Sequence, residues 1–356
     1  MQDTPELFVT NFNPRFTGVS ATTAAVFPEQ RRALKAVLVD RPLPGCPEPM
    51  TKAQALALSR RAPPGKPFAI WHVRRNTEMR LALIARDLLR LPIRIVFTSA
   101  AQRQHSAFPR WLIGRMDAVI ATTKVAADFI PGCRAVVPHG VDTERFRPAK
   151  DRAAAWRATG FPGDYGILTV GRIRPEKGTD LFVKAMIRAL PQLPGAVAVV
   201  AGIAKSADQA FLASLKAQVA AVGLADRLIF AGEVPPERIP GLLQGSRLLM
   251  ALPRYEGYGV TPIEAMACGV PFVASRTGHF ADFAGPVGGT DQVGEVVALE
   301  DWQSAADSAV ALISDQARHE ERASLARERA LRMFSVSREA TAINAVYDQL
   351  WAGHHS

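Results

Sequence analysis

Hydrophobic residues in this chain form short continuous runs, separated by longer stretches in which they recur at helical spacing. The runs in the first half predict strands at 7–10, 33–39, 68–73, 93–97, 118–121 and 135–137. Helical patterns fill the intervals, and the clearest of them covers 77–91. Continuous apolar strands that alternate with helices are typical of a parallel sheet covered on both faces.

The second half repeats this alternation. It predicts strands at 166–170, 196–201, 228–231, 248–252 and 271–274, and helices at 179–189, 207–222, 236–243, 262–268, 302–313, 316–333 and 337–351. We expect an N-terminal domain at 1–148, a C-terminal domain at 149–335 and a final helix and tail at 336–356, with His354 and His355 in a polar tail. Ligands of such folds bind at the carboxyl ends of the strands, which predicts a site in the cleft between two similar α/β domains.

The composition is that of a globular protein, with 48% apolar and 21% charged residues among 356. No apolar run approaches the roughly 20 residues of a membrane-spanning helix. Residues 1–6 lack the basic and apolar segments of a signal peptide, and the three cysteines are scattered. We therefore expect a cytoplasmic protein with reduced thiols.

The net charge of +10 is unevenly distributed. Residues 1–148 hold 22 Lys and Arg against 11 Asp and Glu, whereas the rest of the chain holds 21 against 22. Such asymmetry indicates an anionic partner for the first half, which could be nucleic acid, an acidic membrane surface or an anionic substrate. A basic surface that merely interacts with solvent has the same composition.

Two glutamates, Glu256 and Glu264, flank a glycine-rich turn between a predicted strand and a predicted helix. A strand, a glycine turn and a helix N-terminus together present backbone N–H groups to an anion. Carboxylates bind hydroxyl groups, so the segment suits a ligand with both phosphates and hydroxyls, such as a nucleotide sugar.

Another candidate loop, which is basic, follows the strand at 166–170. Its sequence is Gly-Arg-Ile-Arg-Pro-Glu-Lys-Gly. Gly171 allows a sharp turn at the end of the strand. Arg172 and Lys177 could then bind a diphosphate, because Arg offers a planar fork and Lys a point charge. A solvated charged loop is the alternative interpretation.

These two motifs, Gly-Arg-x-x-x-Glu-Lys-Gly and Glu-Gly-Tyr-Gly-x-x-x-x-Glu-Ala-Met-Ala-x-Gly-x-Pro, resemble glycosyltransferase family 4. The resemblance extends to the linker Val-Pro-His-Gly-Val-Asp, in which His139 replaces the usual Asn. It implies a retaining enzyme of the GT-B fold. That fold has two Rossmann-like, doubly wound parallel-sheet domains facing a cleft, and we expect the C-terminal helix to return to the N-terminal domain.

The resemblance also implies roles for individual residues. Arg172 and Lys177 would bind the donor diphosphate, Glu256 would bind hydroxyls of the donor sugar, and these three would be the catalytic residues. Glu264 would hold the ribose hydroxyls. The other donor-binding positions implied are Gly18, Gly171, Gly257, Tyr258, Gly259 and Val260.

The N-terminal domain carries further candidates at its predicted strand ends. Its segments His-Val-Arg-Arg-Asn-Thr-Glu and Thr-Ser-Ala-Ala-Gln-Arg-Gln-His resemble the bacterial lipopolysaccharide core mannosyltransferases. That resemblance implies GDP-mannose as donor and an anionic inner-core glycolipid as acceptor, with the enzyme peripheral on the inner face of the cytoplasmic membrane. The acceptor-binding residues expected are Arg15, His72, Arg74, Arg75, Arg103 and His105.

Other functions remain open on the sequence alone. A UDP-sugar and another glycolipid or polysaccharide acceptor would fit the same motifs, and a nucleotide-sugar epimerase or phosphorylase could share the architecture. A dinucleotide-dependent oxidoreductase is disfavoured because no Gly-x-Gly-x-x-Gly follows a strand. A nucleic-acid-binding protein would explain the basic half but not the glutamate turn, so we expect no nucleic-acid partner. We expect no cofactor and no metal, because no metal-ligand motif is visible.

Overall fold

The computed structural model describes residues 4–353. The chain divides into two compact units. Unit 1 comprises residues 4–140 and 334–353 of the described chain, and unit 2 is Val141–Met333. The units therefore divide at residue 140, before the boundary expected at residue 148. His354 and His355 lie outside the described residues.

Unit 1 is built on six parallel strands, and five helices connect them in sequence. The strands are β1 (Leu7–Asn11), β2 (Ala36–Asp40), β3 (Ala69–Val73), β4 (Ile93–Ser99), β5 (Ala118–Ala121) and β6 (Ala135–Val136). The helices are α1 (Gly18–Ala33), α2 (Lys52–Leu58), α3 (Asn76–Leu83), α4 (Ala107–Ile113) and α5 (Lys124–Asp128). The spatial order is β2-β1-β3-β4-β5-β6, so the chain changes direction across the sheet after β2.

Unit 2 repeats the same plan. Its strands are β7 (Tyr165–Val170), β8 (Ala196–Ala201), β9 (Leu228–Gly232), β10 (Ser246–Ala251), β11 (Phe272–Ser275) and β12 (Gly294–Val297), in the order β12-β11-β10-β7-β8-β9. Its helices are α6 (Arg152–Ala158), α7 (Thr179–Ala189), α8 (Gln209–Ala221), α9 (Ile239–Gly245), α10 (Thr261–Ala267), α11 (Phe280–Ala284), α12 (Trp302–Ser314) and α13 (Gln316–Met333). The prediction of two doubly wound parallel sheets is confirmed.

The final helix, α14 (Val336–Ala352), belongs to the core of unit 1. Its side chains Ile343, Tyr347 and Trp351 are buried against Leu7 and Phe27 of the first βα segment. The indole N–H of Trp351 donates to the carbonyl of Phe68 at 3.1 Å. The expected return of the C-terminal helix to the N-terminal domain is therefore confirmed.

Several elements differ from the sequence prediction. The second strand begins at Ala36 instead of residue 33, because α1 continues through Ala33 and the amide of Leu34 still donates to the carbonyl of Gln30. The helix predicted at 77–91 ends at Leu83 and continues as a π-helical turn, Ile84–Leu88. Helix α6, edge strand β12 and helix α11 were not predicted from the sequence.

Candidate functional site

The loop after β7 lies directly against the end of β10. Gly178 has a φ of +65°, and a Cβ at this position would lie 1.8 Å from the carbonyl oxygen of Leu252. Only glycine permits this approach. The loop places Arg172 on the surface and Lys177 in a half-buried position beside the next loop.

Lys177 and Glu256 form an ion pair between the two loops. The ammonium of Lys177 donates to Oε2 of Glu256 at 2.6 Å, and the two side chains are 27% and 23% exposed. The other carboxylate oxygen of Glu256 accepts the amide of Gly257 at 3.2 Å. The structure therefore brings together the two charged groups that the sequence assigned to donor phosphate and donor sugar.

The turn after Glu256 is held in place by aromatic packing. Gly259 has a φ of +84°, and a Cβ there would lie 2.3 Å from the ring of Phe280. The ring of Tyr258 is buried and stacks on His279 with centroids 5.2 Å apart. Within residues 4–353 the backbone N–H groups of Gly259 and Val260 have no hydrogen-bond partner, so they are left to bind solvent or a ligand.

Glu264 lies in the first turn of α10, close behind this loop. Burial raises the pKa of its carboxyl to about 7, and the nearby charge of Arg145 only partly offsets this effect. No hydrogen bond from the described residues is among the causes that set this pKa. A half-buried carboxylate without such a bond is suited to accept hydrogen bonds from a diol.

Arg254 joins the two loops, a role that the sequence did not predict. Its guanidinium binds Asp180 of α7 through two hydrogen bonds of 2.9 and 2.8 Å, and it donates to Glu300 at 3.0 Å. Its backbone amide donates to the carbonyl of Glu176 at 3.0 Å. These contacts fix the loop of Lys177 relative to that of Glu256. Asp180 lies 74 positions from Arg254, so no local pattern indicates the pair.

In unit 1, Gly18 is the first residue of α1. The helix is capped by Thr17, whose side chain accepts the amide of Ser20. A Cβ on Gly18 would meet nothing within 4 Å, so packing within the chain does not require glycine here. Arg15 lies exposed in the preceding loop, and its amide donates to Asn13 at 3.0 Å.

His72 lies in the core and not at the surface of unit 1. Its Nδ1 is 2.5 Å from the hydroxyl of Tyr347, and its Nε2 is 2.7 Å from that of Thr98. Burial, with the neighbouring charge of Arg74, lowers the pKa of His72 well below its usual value, so the ring is neutral. Both nitrogens are occupied and the side chain is fully buried, so His72 positions Tyr347 and Thr98 and leaves no nitrogen for a ligand.

The two neighbouring arginines differ in their contacts. Arg75 donates to Glu78 at 2.9 Å, and its remaining hydrogen bonds go to Asn11, Thr17 and Ser20. These bonds hold the loop between β1 and α1. Arg74 is 8% exposed, and its Nε and Nη1 have no hydrogen-bond partner within residues 4–353. Its guanidinium is therefore the one of the pair that retains donors for an anion.

The loop after β4 carries the last two candidates. Arg103 is exposed, and His105 is half-buried with Nε2 3.4 Å from the hydroxyl of Ser99. Burial, with the charge of Arg103, lowers the pKa of His105.

Residues 4–353 hold neither a metal-binding cluster nor a membrane-spanning helix. No group of three or more His, Cys, Asp or Glu side chains in this range could hold a metal ion. No described helix is both long enough and apolar enough to span a bilayer.

The fold matches solved glycosyltransferase structures. The Anabaena protein Alr3699/HepE, solved in complex with UDP, superimposes with a TM-score of 0.80 at 18% identity, over 96% of this chain and 99% of that one. The C-terminal domain of LpcC, a glycosyl transferase group 1 family protein from Francisella tularensis, is 31% identical, with a TM-score of 0.52 over 55% of this chain and 99% of that one. The fold and the loops of unit 2 therefore define a glycosyltransferase of the GT-B class.

The sequence comparisons identify the family. Residues 151–330 match the family described as Glycosyl transferases group 1, and the chain belongs to this family. Lipopolysaccharide core biosynthesis mannosyltransferase LpsB of Rhizobium meliloti (strain 1021) is 40% identical over 348 residues, which is 97% of each chain. Lipopolysaccharide core biosynthesis mannosyltransferase LpcC of Rhizobium leguminosarum bv. viciae is 39% identical over 99% of this chain and 98% of its own. The resemblance found in the sequence is confirmed.

Proposed function

We propose that this glycosyltransferase moves mannose from GDP-mannose to an anionic inner-core sugar of lipopolysaccharide, with retention of configuration, at the cytoplasmic face of the membrane. The observation that carries the proposal is the likeness over 97% of the chain to a lipopolysaccharide core mannosyltransferase. A likeness that extends through unit 1 supports a shared acceptor as well as a shared donor.

The donor binds to the paired loops of unit 2. Glu264 accepts the ribose hydroxyls, and Arg172 and Lys177 bind the diphosphate. Glu256 accepts hydroxyls of the sugar, beside the unpartnered amides of Gly259 and Val260. The 2.6 Å contact between Lys177 and Glu256 supports this assignment, because it holds the phosphate-binding and sugar-binding groups at adjoining positions.

The chemical step breaks the bond between the sugar C1 and the diphosphate oxygen. The acceptor hydroxyl oxygen bonds to C1 on the same face, and its proton passes to the departing phosphate oxygen. The products are a mannoside and GDP, so no protein base is required. Lys177 and Arg172 stabilise the negative charge that develops on the diphosphate, which is electrostatic catalysis by preorganised groups.

The acceptor binds to unit 1 through the groups that retain donors. Arg74 is nearly buried with two unpartnered nitrogens, and Arg103 and Arg15 are exposed. These guanidinium groups suit carboxylate or phosphate on the acceptor. His105 lies in the same loop as Arg103, whereas Arg75 and His72 hold the strand ends in place.

The direct test is transfer from GDP-mannose to lipopolysaccharide inner-core acceptor, with the anomeric configuration of the first product determined by NMR. An α-mannoside from the α-configured donor supports the proposal, and a β-mannoside overturns retention. A parallel thermal-shift screen compares GDP-mannose with UDP-sugars, since a ligand that binds only the native state raises its stability. Protection by UDP-sugars alone would overturn the assignment of donor.

A further inference from the structure

Helix α4 of unit 1 presents two aromatic rings to solvent. Phe108 is 53% exposed and Trp111 is 55% exposed. Their rings stack on each other with centroids 6.1 Å apart and planes 15° apart. The next two residues, Leu112 and Ile113, are buried in the core and fix the helix against the sheet. The aromatic pair is therefore held on a rigid support.

The chain around this pair is strongly basic. Residues 84–117 contain six arginines and two aspartates. Arg86, Arg94 and Arg115 pair with these aspartates, and the other three arginines have no acidic partner among the described residues. Arg103, Arg110 and Arg115 are all exposed. The guanidinium of Arg115 lies 5.5 Å from the centroid of the Trp111 ring, which is a cation–π contact.

Arg115 also connects this helix to a second exposed apolar segment. Its Nη2 lies 3.1 Å from Asp87, the residue before Leu88 and Leu89. Those two leucines are 74% and 50% exposed at the end of the π-helical turn. We name these six residues the α4 surface: Leu88, Leu89, Phe108, Arg110, Trp111 and Arg115.

We propose that the α4 surface docks on an anionic lipid bilayer. Aromatic side chains with adjacent arginines are suited to the boundary between headgroups and acyl chains, where the ring lies in the apolar layer and the cation meets lipid phosphate. The proposal rests on the proposed function, because a lipid-linked acceptor is held in such a bilayer. It deepens that function by naming the surface that makes the contact.

The charge and geometry of this surface favour lipid over other partners. A two-fold contact with a second copy would oppose identical clusters of arginines, which repel each other. A single-stranded nucleic acid would stack its bases on open aromatic faces. Here Phe108 and Trp111 already stack on each other, and the exposed leucines offer nothing to a base.

The position of α4 connects docking to acceptor binding within unit 1. The helix follows the loop of Arg103 and His105, which begins at the carboxyl end of β4. Contact of α4 with the membrane therefore brings the candidate acceptor-binding end of β4 close to the lipid surface.

The test measures binding of the full chain to sedimented vesicles of phosphatidylcholine, with and without phosphatidylglycerol. We expect binding only when the anionic lipid is present. The double variant F108S/W111S should lower the partition coefficient by more than about tenfold. Arg110→Gln should lower it by about fivefold, the effect of one basic residue near an anionic surface.

Matched controls come from unit 2. Val222 and Val287 are 51% and 82% exposed, and Arg157 is exposed. The variants V222S/V287S and Arg157→Gln should bind vesicles like the unchanged protein. Binding to neutral vesicles as strong as to anionic ones, or equal binding by F108S/W111S, overturns the proposal.

Two further readouts distinguish a lipid-binding surface from a protein interface and from a damaged fold. Sedimentation velocity without lipid tests for a protein interface: a dimer that F108S/W111S converts to a monomer overturns the proposal. Thermal stabilisation by GDP-mannose, unchanged in every variant, shows that the fold and the donor site are intact. If the protein binds lipid as expected but transfers no mannose, the lipid-binding role of the α4 surface is supported and only the proposed function is overturned.

Discussion

Each unit has a polar network at the carboxyl ends of its strands, and the two networks differ in their access to solvent. In unit 2 the ion pair of Lys177 and Glu256 is partly exposed, on loops whose conformation requires glycine at Gly178 and Gly259. In unit 1 the hydrogen bonds that join His72, Tyr347 and Gln30 are completely buried. Similar positions in two similar sheets therefore hold polar groups of opposite accessibility.

The difference indicates different tasks. Two partly exposed charges on neighbouring loops can separate and bind a ligand at a small cost in free energy, because water already screens their attraction. A buried network of neutral groups is costly to open, since each group loses its partner. The network of unit 1 attaches α14 to the sheet. Near it, Nε and Nη1 of Arg74 have no hydrogen-bond partner among the described residues.

The largest effect should come from breaking the network of unit 2. Glu256→Gln or Lys177→Ala should lower kcat/KM for mannosyl transfer by about 10²–10³-fold, the usual effect of removing one preorganised electrostatic group. The free energy of unfolding should change by less than about 1 kcal/mol, because the pair is partly exposed. Steady-state kinetics and urea unfolding measure the two quantities.

The control for this comparison is Lys216→Ala. This variant removes an amine on α8 that lies over the ring of Phe230. It should leave transfer unchanged. Activity of Glu256→Gln within about threefold of the unchanged enzyme would contradict the assigned role, since a hydrogen bond to a charged group is worth more than that.

Breaking the network of unit 1 should have the opposite effects: a large loss of stability and little change in donor binding. Tyr347→Phe removes the hydroxyl that contacts His72 and Gln30, and two buried polar groups lose a partner. We expect the free energy of unfolding to fall by about 2–4 kcal/mol. Stabilisation by GDP-mannose should persist, because the donor loops belong to unit 2. Urea unfolding and thermal shift measure these outcomes.

The matched variant is Tyr165→Phe in unit 2, whose hydroxyl makes a single 3.3 Å bond at an exposed position. It should cost less than about 1 kcal/mol. Equal stability loss in the two variants would show that burial does not distinguish these networks.

The sequence predicted most of the fold because both hydrophobic periods are strong. Helices α7 and α13 and strand β8 have the predicted limits. Their apolar residues follow one period without interruption, and glycine or proline marks several of their ends. The two loops proposed to bind the donor could also be located in the sequence, since their glycines and charges lie close together along the chain. Their role in donor binding stays a prediction.

The remaining contacts depend on how distant segments meet. Arg254 and Asp180 lie 74 positions apart, and His72 and Tyr347 lie 275 apart. No local pattern selects such partners. His72 was expected to bind acceptor because it ends a strand beside two arginines, but the sequence did not reveal that α14 would cover it.

The smallest effect is the pH dependence of donor affinity, which we expect to arise from Glu264. Its carboxyl has a pKa of about 7, raised from an ordinary value of 4.5 by burial. The ionised form accepts ribose hydroxyls best, so affinity for GDP-mannose should fall by up to about tenfold per pH unit below 7. The diphosphate diester of the donor does not titrate in this range, which leaves the protein as the source. Calorimetric titration at several pH values measures the affinity and the proton uptake.

The variant Glu264→Gln should bind more weakly at pH 8 and show no such pH dependence. Stability provides an independent sign. The folded state holds a proton on Glu264 between pH 4.5 and about 7 that the unfolded state has released, so the folded protein loses stability as pH rises through that window. Glu264→Gln should remove this loss. The fully buried His72 gives the opposite slope in every variant, because the unfolded state gains a proton on it below pH 6.5 that the folded state does not, so its contribution to stability rises with pH. If Glu264→Gln keeps the pH dependence of donor binding, another group must titrate, and this result would contradict the proposed binding of ribose by Glu264.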